Sequence, residues 1–259
     1  MLISCQNVSL GYEGQAVTRD LDFTVGPGDY LWVVGENGSG KTTLIRGILR
    51  LLAPMKGSMV FHEKLAGGRI GYLPQQTELK KDFPAGAFEI VLSGNLRGMG
   101  LRPFYNAREK KLAEDAMERL GIADLKGECY RELSGGQQRR VLLARALCSA
   151  GAEAAAASAA DGGASKNVRG LLVLDEPVAS LDPLATVEVY ELLKSLNKDT
   201  GITIIMVSHD IRAAEKYARS ILHLEEGTGF FGRAVEYLQS ERGRRYFGHV
   251  KRRADDLYD

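Results

Sequence analysis

A surplus of charge of either sign is missing, since 34 basic against 33 acidic residues leave +1 on 259 residues. That balance gives no electrostatic argument for nucleic acid as a partner. Cysteine is scarce: Cys5, Cys129 and Cys148 lie far apart and form no C-x-x-C pair. A disulfide framework and a zinc site are both unexpected, and a reducing cytosol is the natural compartment. His62, His209, His223 and His249 are scattered and make no ligand cluster. Long apolar runs are missing too, none approaching the roughly 20 residues that cross a bilayer. Met1–Asn7 lacks the charged and apolar zones of a signal peptide. The expectation is a chain that stays inside the cell and spans no membrane itself. No internal repeat is evident.

What is there is an ordinary globular balance, 44% hydrophobic and 26% charged. Leu2–Leu10 and Leu21–Val25 have strand patterns, and Gly26–Asp29 is a turn cluster. Tyr30–Val34 is a compact apolar strand that runs into a glycine-rich loop. Thr42–Leu52 has helical spacing stopped near Pro54, and short strands return over 56–74. From about Ala85 to Leu147 the chain reads as mostly helical. Arg169–Asp175 and Ile202–Val207 are later buried strands, separated by the amphipathic segment Leu184–Leu196. Strands alternating with helices argue for a parallel α/β core with a helical insertion. Residues 149–168 are small, alanine-rich and of low complexity, so a flexible surface loop is expected there. The basic stretch Arg242–Arg253 is expected to be a solvated, mobile end.

Gly35-Glu36-Asn37-Gly38-Ser39-Gly40-Lys41-Thr42 fits G-x-x-x-x-G-K-[ST], between a strand and a helix. Glycines let successive backbone N–H groups point at phosphate oxygens, and the following helix adds its positive end. Lys41 supplies a mobile cation, and Thr42 offers a hydroxyl to Mg²⁺. Leu171–Leu174 make a buried strand that ends in Asp175 and Glu176. Asp175 can hold magnesium through water, and Glu176 is placed to orient or deprotonate an attacking water. Leu133–Gln137 is the sequence Leu-Ser-Gly-Gly-Gln. Ser134 and Gln137 form a capping box, and the N–H groups of Gly135 and Gly136 make a second anion site at a helix start.

These motifs together resemble the ATP-binding cassette family, and the likeness runs over about residues 1–230. It implies a P-loop NTPase core: an α/β fold with a mostly parallel sheet, a small antiparallel β subdomain and an inserted helical subdomain at about 85–147. Residues 231–259 would be a C-terminal extension. The resemblance implies that Tyr12 stacks on adenine and that Gly35–Thr43, including Thr43, bind the phosphates of ATP. Gln75 would reach the metal and the water, joining Thr42 and Asp175 around Mg²⁺. Glu176 and His209 would act on the γ-phosphate. Ser180–Asp182 would form the loop that crosses a dimer interface, with Asp182 at its end.

It also implies a head-to-tail homodimer, each ATP lying between one copy's P-loop and the other's Ser134–Gln137. An integral-membrane permease and an extracytoplasmic solute-binding protein would complete the complex, with this subunit peripheral on the inner face of the membrane. Phe83–Gly94 is similar to the group serving zinc and manganese importers. Alternatives are a cassette for another solute (iron-siderophore, cobalt or export) or a non-transport cassette acting on ribosomes or DNA. There are two departures from the family pattern. Arg139 stands where glutamine is usual, and little effect is expected because it lies outside the glycine turn. The alanine-rich tract lengthens the segment before Asp175 and is expected to be tolerated.

Overall fold

The computed structural model describes residues 1–66, 69–75, 84–96, 102–151, 170–179 and 181–255. The expectations for Phe83, for Ser180 and for residues 152–168 of the alanine-rich tract lie outside them. In chain order the elements are β1 (Ile3–Tyr12), β2 (Gln15–Val25), β3 (Tyr30–Gly35), α1 (Lys41–Ile48), β4 (Lys56–Phe61), α2 (Glu63–Ala66) and β5 (Ile70–Leu73). Then come α3 (Ala87–Leu92), α4 (Ala107–Arg119) and α5 (Gly135–Ala150), with short 3-10 turns between them. The remainder runs β6 (Leu171–Asp175), α6 (Pro183–Thr200), β7 (Thr203–Val207), α7 (Ile211–Tyr217), β8 (Ser220–Glu225), β9 (Thr228–Arg233), α8 (Ala234–Gln239) and α9 (Glu241–Asp255).

Two compact units share the chain, the first made of Met1–Ser4, Thr24–Asp29 and Val60–Val207, the second of Cys5–Phe23, Tyr30–Met59 and Ser208–Asp259. In the first unit β5, β6 and β7 are parallel neighbours, with Ile70 opposite Leu171 and Leu171 opposite Thr203. Every residue of β6 and β7 is buried, which is why both read as continuous apolar runs rather than alternating ones. Helix α6 starts on Asp182, whose carboxylate accepts from the N–H groups of Leu184 and Ala185 at 3.0 and 2.9 Å. Pro183 at its first position and left-handed Gly201 (φ 66°) past its end bound it. Helix α5 lies against β5 so closely that a Cβ on Gly71 would sit 1.9 Å from the Ala146 carbonyl oxygen.

In the second unit β3 pairs in parallel with β8, and β8 pairs antiparallel with β9. Strands β1 and β2 form a hairpin through Glu13 (φ 50°) and Gly14 (φ 81°), the positive pair of a primed two-residue turn. The sheet order β2-β1-β4 completes the small antiparallel layer. Leu21 and Phe23 point inward along β2 while Asp22 faces out. Helix α1 buries Leu44, Ile45 and Ile48.

Three expectations need correcting. Helix α1 stops at Ile48 rather than Leu52, with Arg50 already left-handed (φ 60°). Ser149 and Ala150 are not loop but the last residues of α5, which left-handed Gly151 (φ 65°) closes. The basic end is the helix α9, not a loose tail, because its aromatic residues pack. Tyr246 is 9% exposed, and its ring lies 4.4 Å from His223.

Candidate functional site

The phosphate loop belongs to the second unit. Strand β3 is wholly buried and delivers the chain to Gly35 (φ 152°); Gly38 (φ 83°) and Gly40 (φ 100°) then take conformations that side chains resist. Lys41 Nζ folds back over the loop and donates to the carbonyls of Gly35 and Glu36, both at 2.8 Å. Gly40 caps α1 with no side chain, so nothing from the cap covers the N–H groups of the first turn. This leaves a positive helix end facing the loop. Ser39 and Thr43 are buried, Glu36, Asn37 and Thr42 exposed. Tyr12 sits in the same unit at the end of β1, 39% exposed. Arg46 of α1 donates to its hydroxyl at 2.9 Å, with the guanidinium 5.7 Å from the ring centroid. His209 follows β7, half-buried, just ahead of Asp210, which caps α7 through the Ala213 N–H at 3.0 Å.

The acidic residues belong to the first unit. Asp175 ends β6 opposite Val207 and is 7% exposed. Glu176 follows in a left-handed conformation (φ 45°), its N–H donating to the Val207 carbonyl at 2.9 Å. For a non-glycine residue that conformation costs about 1–2 kcal/mol. Gln75, exposed just beyond β5, reaches Glu176 with Nε2 to Oε2 at 3.4 Å. Two residues 101 positions apart in the sequence are thus side by side.

Ser134 caps α5, its hydroxyl accepting from Gln137 N at 3.3 Å while Gln137 Oε1 accepts from Ser134 N at 2.9 Å. The capping box read in the sequence is present. Gly135 and Gly136 form the first turn, with open space where side chains would be. A cavity of about 440 Å³ opens here, lined by Ser134–Gln137 and, from the start of α6, by Asp182 and Ala185. An Arg140–Glu188 ion pair ties the two helices together beside it.

Two residues outrank what the sequence suggested for them. Arg139 was expected to matter little. Instead it is 3% exposed and donates to main-chain carbonyls of Pro177, Glu176, Asp175 and Pro74. The overlooked signal was periodicity, since Arg139 shares a helix face with the buried Leu142, Leu143 and Ala146. Tyr246, read as part of a loose tail, accepts from the Gly35 N–H at 3.1 Å and so braces the phosphate loop from α9.

Residues 18–152, more than half of the chain, match the family described as ABC transporter. The chain belongs to the ABC transporter family. It carries that family's ATP-hydrolysis domain. This ABC ATPase is 32% identical over 266 residues to the zinc uptake system ATP-binding protein ZurA of Listeria monocytogenes, covering 100% of this chain and 96% of that protein. It is 31% identical to the manganese transport system ATP-binding protein MntB of Bacillus subtilis, over 95% of this chain and 92% of MntB. Among solved structures, cbiO1 from Clostridium perfringens, part of the ABC transporter complex cbiONQ, superposes with a TM-score of 0.75. At 24% identity, over 99% of this chain and 98% of cbiO1, that likeness speaks for the fold alone.

Proposed function

We propose that this ABC ATPase powers import of a metal ion, zinc or manganese, through a separate membrane permease. The observation that carries the proposal is end-to-end similarity to ATP-binding proteins named for zinc uptake and manganese transport. Among the described residues no helix is long and apolar enough to cross a membrane. In this reading the subunit is cytoplasmic and peripheral on the inner face of the membrane. An extracytoplasmic solute-binding protein joins the complex, and nucleic acid has no part in it.

Each residue has a task in this reading. The N–H groups of Gly38–Thr43 and Lys41 Nζ hold the phosphates of ATP, and Tyr12 offers its exposed ring to the base. Thr42, Gln75 and Asp175 can each offer an oxygen, the donor type that magnesium takes. Magnesium, when bound, supplies positive charge to the phosphate oxygens. Glu176 accepts the proton of the attacking water or orients it, held by Gln75 at its Oε2. His209 donates to the terminal phosphate. Ser134–Gln137 present the start of α5 to the nucleotide of a second copy, across a head-to-tail dimer with Asp182 at the crossing loop.

The test is ATPase activity measured beside Glu176→Gln, followed by capture of partners from co-expressed membranes and uptake of Zn²⁺ or Mn²⁺ into vesicles. Expected are loss of hydrolysis in the variant, recovery of an integral-membrane protein, and ATP-dependent uptake of one of the two ions. Recovery of ribosomes or DNA in place of a membrane protein would sink the transport reading.

A further inference from the structure

We propose that Arg139 is the positioning residue that sets Glu176 and Gln75 for hydrolysis and ties both to the helix carrying Ser134–Gln137. The inference rests on the reading of Glu176 as the group that acts on water.

The parallel ladder of β5 and β6 ends at the pair Leu73 and Leu174. Beyond it the chain continues as Pro74 and Gln75 on one strand and Asp175–Pro177 on the other. Pro74 and Pro177 have no N–H, so they cannot extend a ladder. One guanidinium takes its place. Arg139 Nε donates to Pro177 O at 2.6 Å, and Nη2 to Glu176 O at 2.6 Å and Asp175 O at 3.4 Å. Nη1 reaches Pro74 O at 3.3 Å. The donors of a guanidinium lie in a fixed plane, so four carbonyls from two strand ends are held at set spacings by a single rigid group.

Glu176 gives the second observation. Its left-handed backbone (φ 45°) persists only where the surroundings over-determine it. Here its N–H is taken by Val207 O and its C=O by Arg139. Its carboxylate meets Gln75, the residue after Pro74, whose carbonyl Arg139 also holds. Burial pulls the pKa of Arg139 down, and the nearby Tyr130, Asp175 and Glu176 oppose that pull. A cation is kept in such a place only when its donors are satisfied. The other end of the link is short: Arg139 stands on the same rigid helix as Gly135 and Gly136. In the dimer, a change at Ser134–Gln137 of one copy therefore reaches that copy's own Glu176 through one side chain.

The experiment compares Arg139→Met, which keeps the stem and loses every donor, with Arg139→Lys and Arg139→Gln in the full chain. Steady-state kcat and KM for MgATP, nucleotide affinity and the thermal midpoint are measured together, beside Glu176→Gln. In Arg139→Met, kcat is expected to fall at least tenfold while KM and affinity stay within about twofold. Lys and Gln, each with a partial donor set, fall between. A merely structural role would lower the folded fraction without splitting kcat from KM. A folded Arg139→Met with kcat within twofold of wild type overturns the inference. If that variant does not fold, wild-type kcat in both Lys and Gln variants does the same. Full activity in Glu176→Gln would instead remove the reading of Glu176, so the two failures are distinguishable.

Discussion

Burial pushes the thiol of Cys5 up to about 12, and the Asp22 carboxylate acts in the same direction. The thiolate is the reactive form, so Cys5 should be the slowest cysteine to alkylate in the native protein, behind half-buried Cys129. Timed iodoacetamide labelling read by mass spectrometry checks this, and equal rates at the two sites would contradict it. At this scale the sequence announced residues whose chemistry needs a fixed spacing: Gly35–Thr42, Asp175, Glu176 and Ser134–Gln137. Its periodicity hinted that Arg139 is buried but said nothing of its partners, because the four carbonyls that employ it lie 36 to 65 positions away. Main-chain carbonyls leave no mark in a string of side chains. It was silent on Glu176's left-handed backbone for the same reason, since nothing local favours it.

Among elements, α9 was the least legible. Its residues are mostly charged, and only Tyr246 and Phe247 betray a buried side. The hydroxyl of Tyr246 accepts the Gly35 N–H, so Tyr246→Phe leaves a buried donor unpaired at the phosphate loop. That should cost about 1–3 kcal/mol, read as a lowered denaturation midpoint with the denaturant slope unchanged. An unchanged midpoint would mean that α9 does not brace the loop. Strand β8 carries His223 beneath the same helix, with Nδ1 2.7 Å from the Tyr237 hydroxyl. Burial holds the His223 pKa below its usual value, with Glu225 opposing. The unfolded chain therefore takes up this proton more readily than the folded one. The contribution is fully present above about pH 6.5 and is lost as pH falls toward the lower folded value. Thermal midpoints should decline on that acid side, and His223→Leu should flatten the decline. Strands such as β6 and β7 were legible because burial on both faces demands unbroken apolar runs. By contrast, β8 and β9 were missed because His223, Gly229 and Gly232 break that pattern.

At the scale of the whole molecule, a chain with two unlike glycine-rich helix starts, each proposed to face a phosphate, has reason to pair with a second copy. Glu176→Gln should run as a monomer in size-exclusion chromatography without nucleotide and as a dimer with MgATP. A monomer under both conditions would speak against the head-to-tail arrangement. The parallel α/β class could be read from the order of apolar runs and helical stretches. The division of the chain could not. The first unit takes Met1–Ser4 and Thr24–Asp29 from the N-terminal region, where Gly28 N donates to Thr203 Oγ1 at 2.9 Å. Such returns depend on contacts that no local pattern encodes.

The close seat of α5 has a mechanical meaning. The backbone of Gly71 presses on Ala146, and the backbone of Gly94 would bring a Cβ within 2.3 Å of the Arg145 carbonyl oxygen, so the helix is gripped from two sides near its C-terminal end. A rod held in a notch cannot slide, but it can tilt, and the notch is then a fulcrum. At 1.5 Å per residue, Gly135 lies about 16 Å and Arg139 about 10 Å from that pivot. A nudge at the glycine end would thus arrive at Arg139 reduced by about a third but in the same sense. A Cβ on Gly71 would meet main-chain oxygen at 1.9 Å, so Gly71→Ala would push α5 out of the notch and remove the fulcrum while altering neither end of the lever.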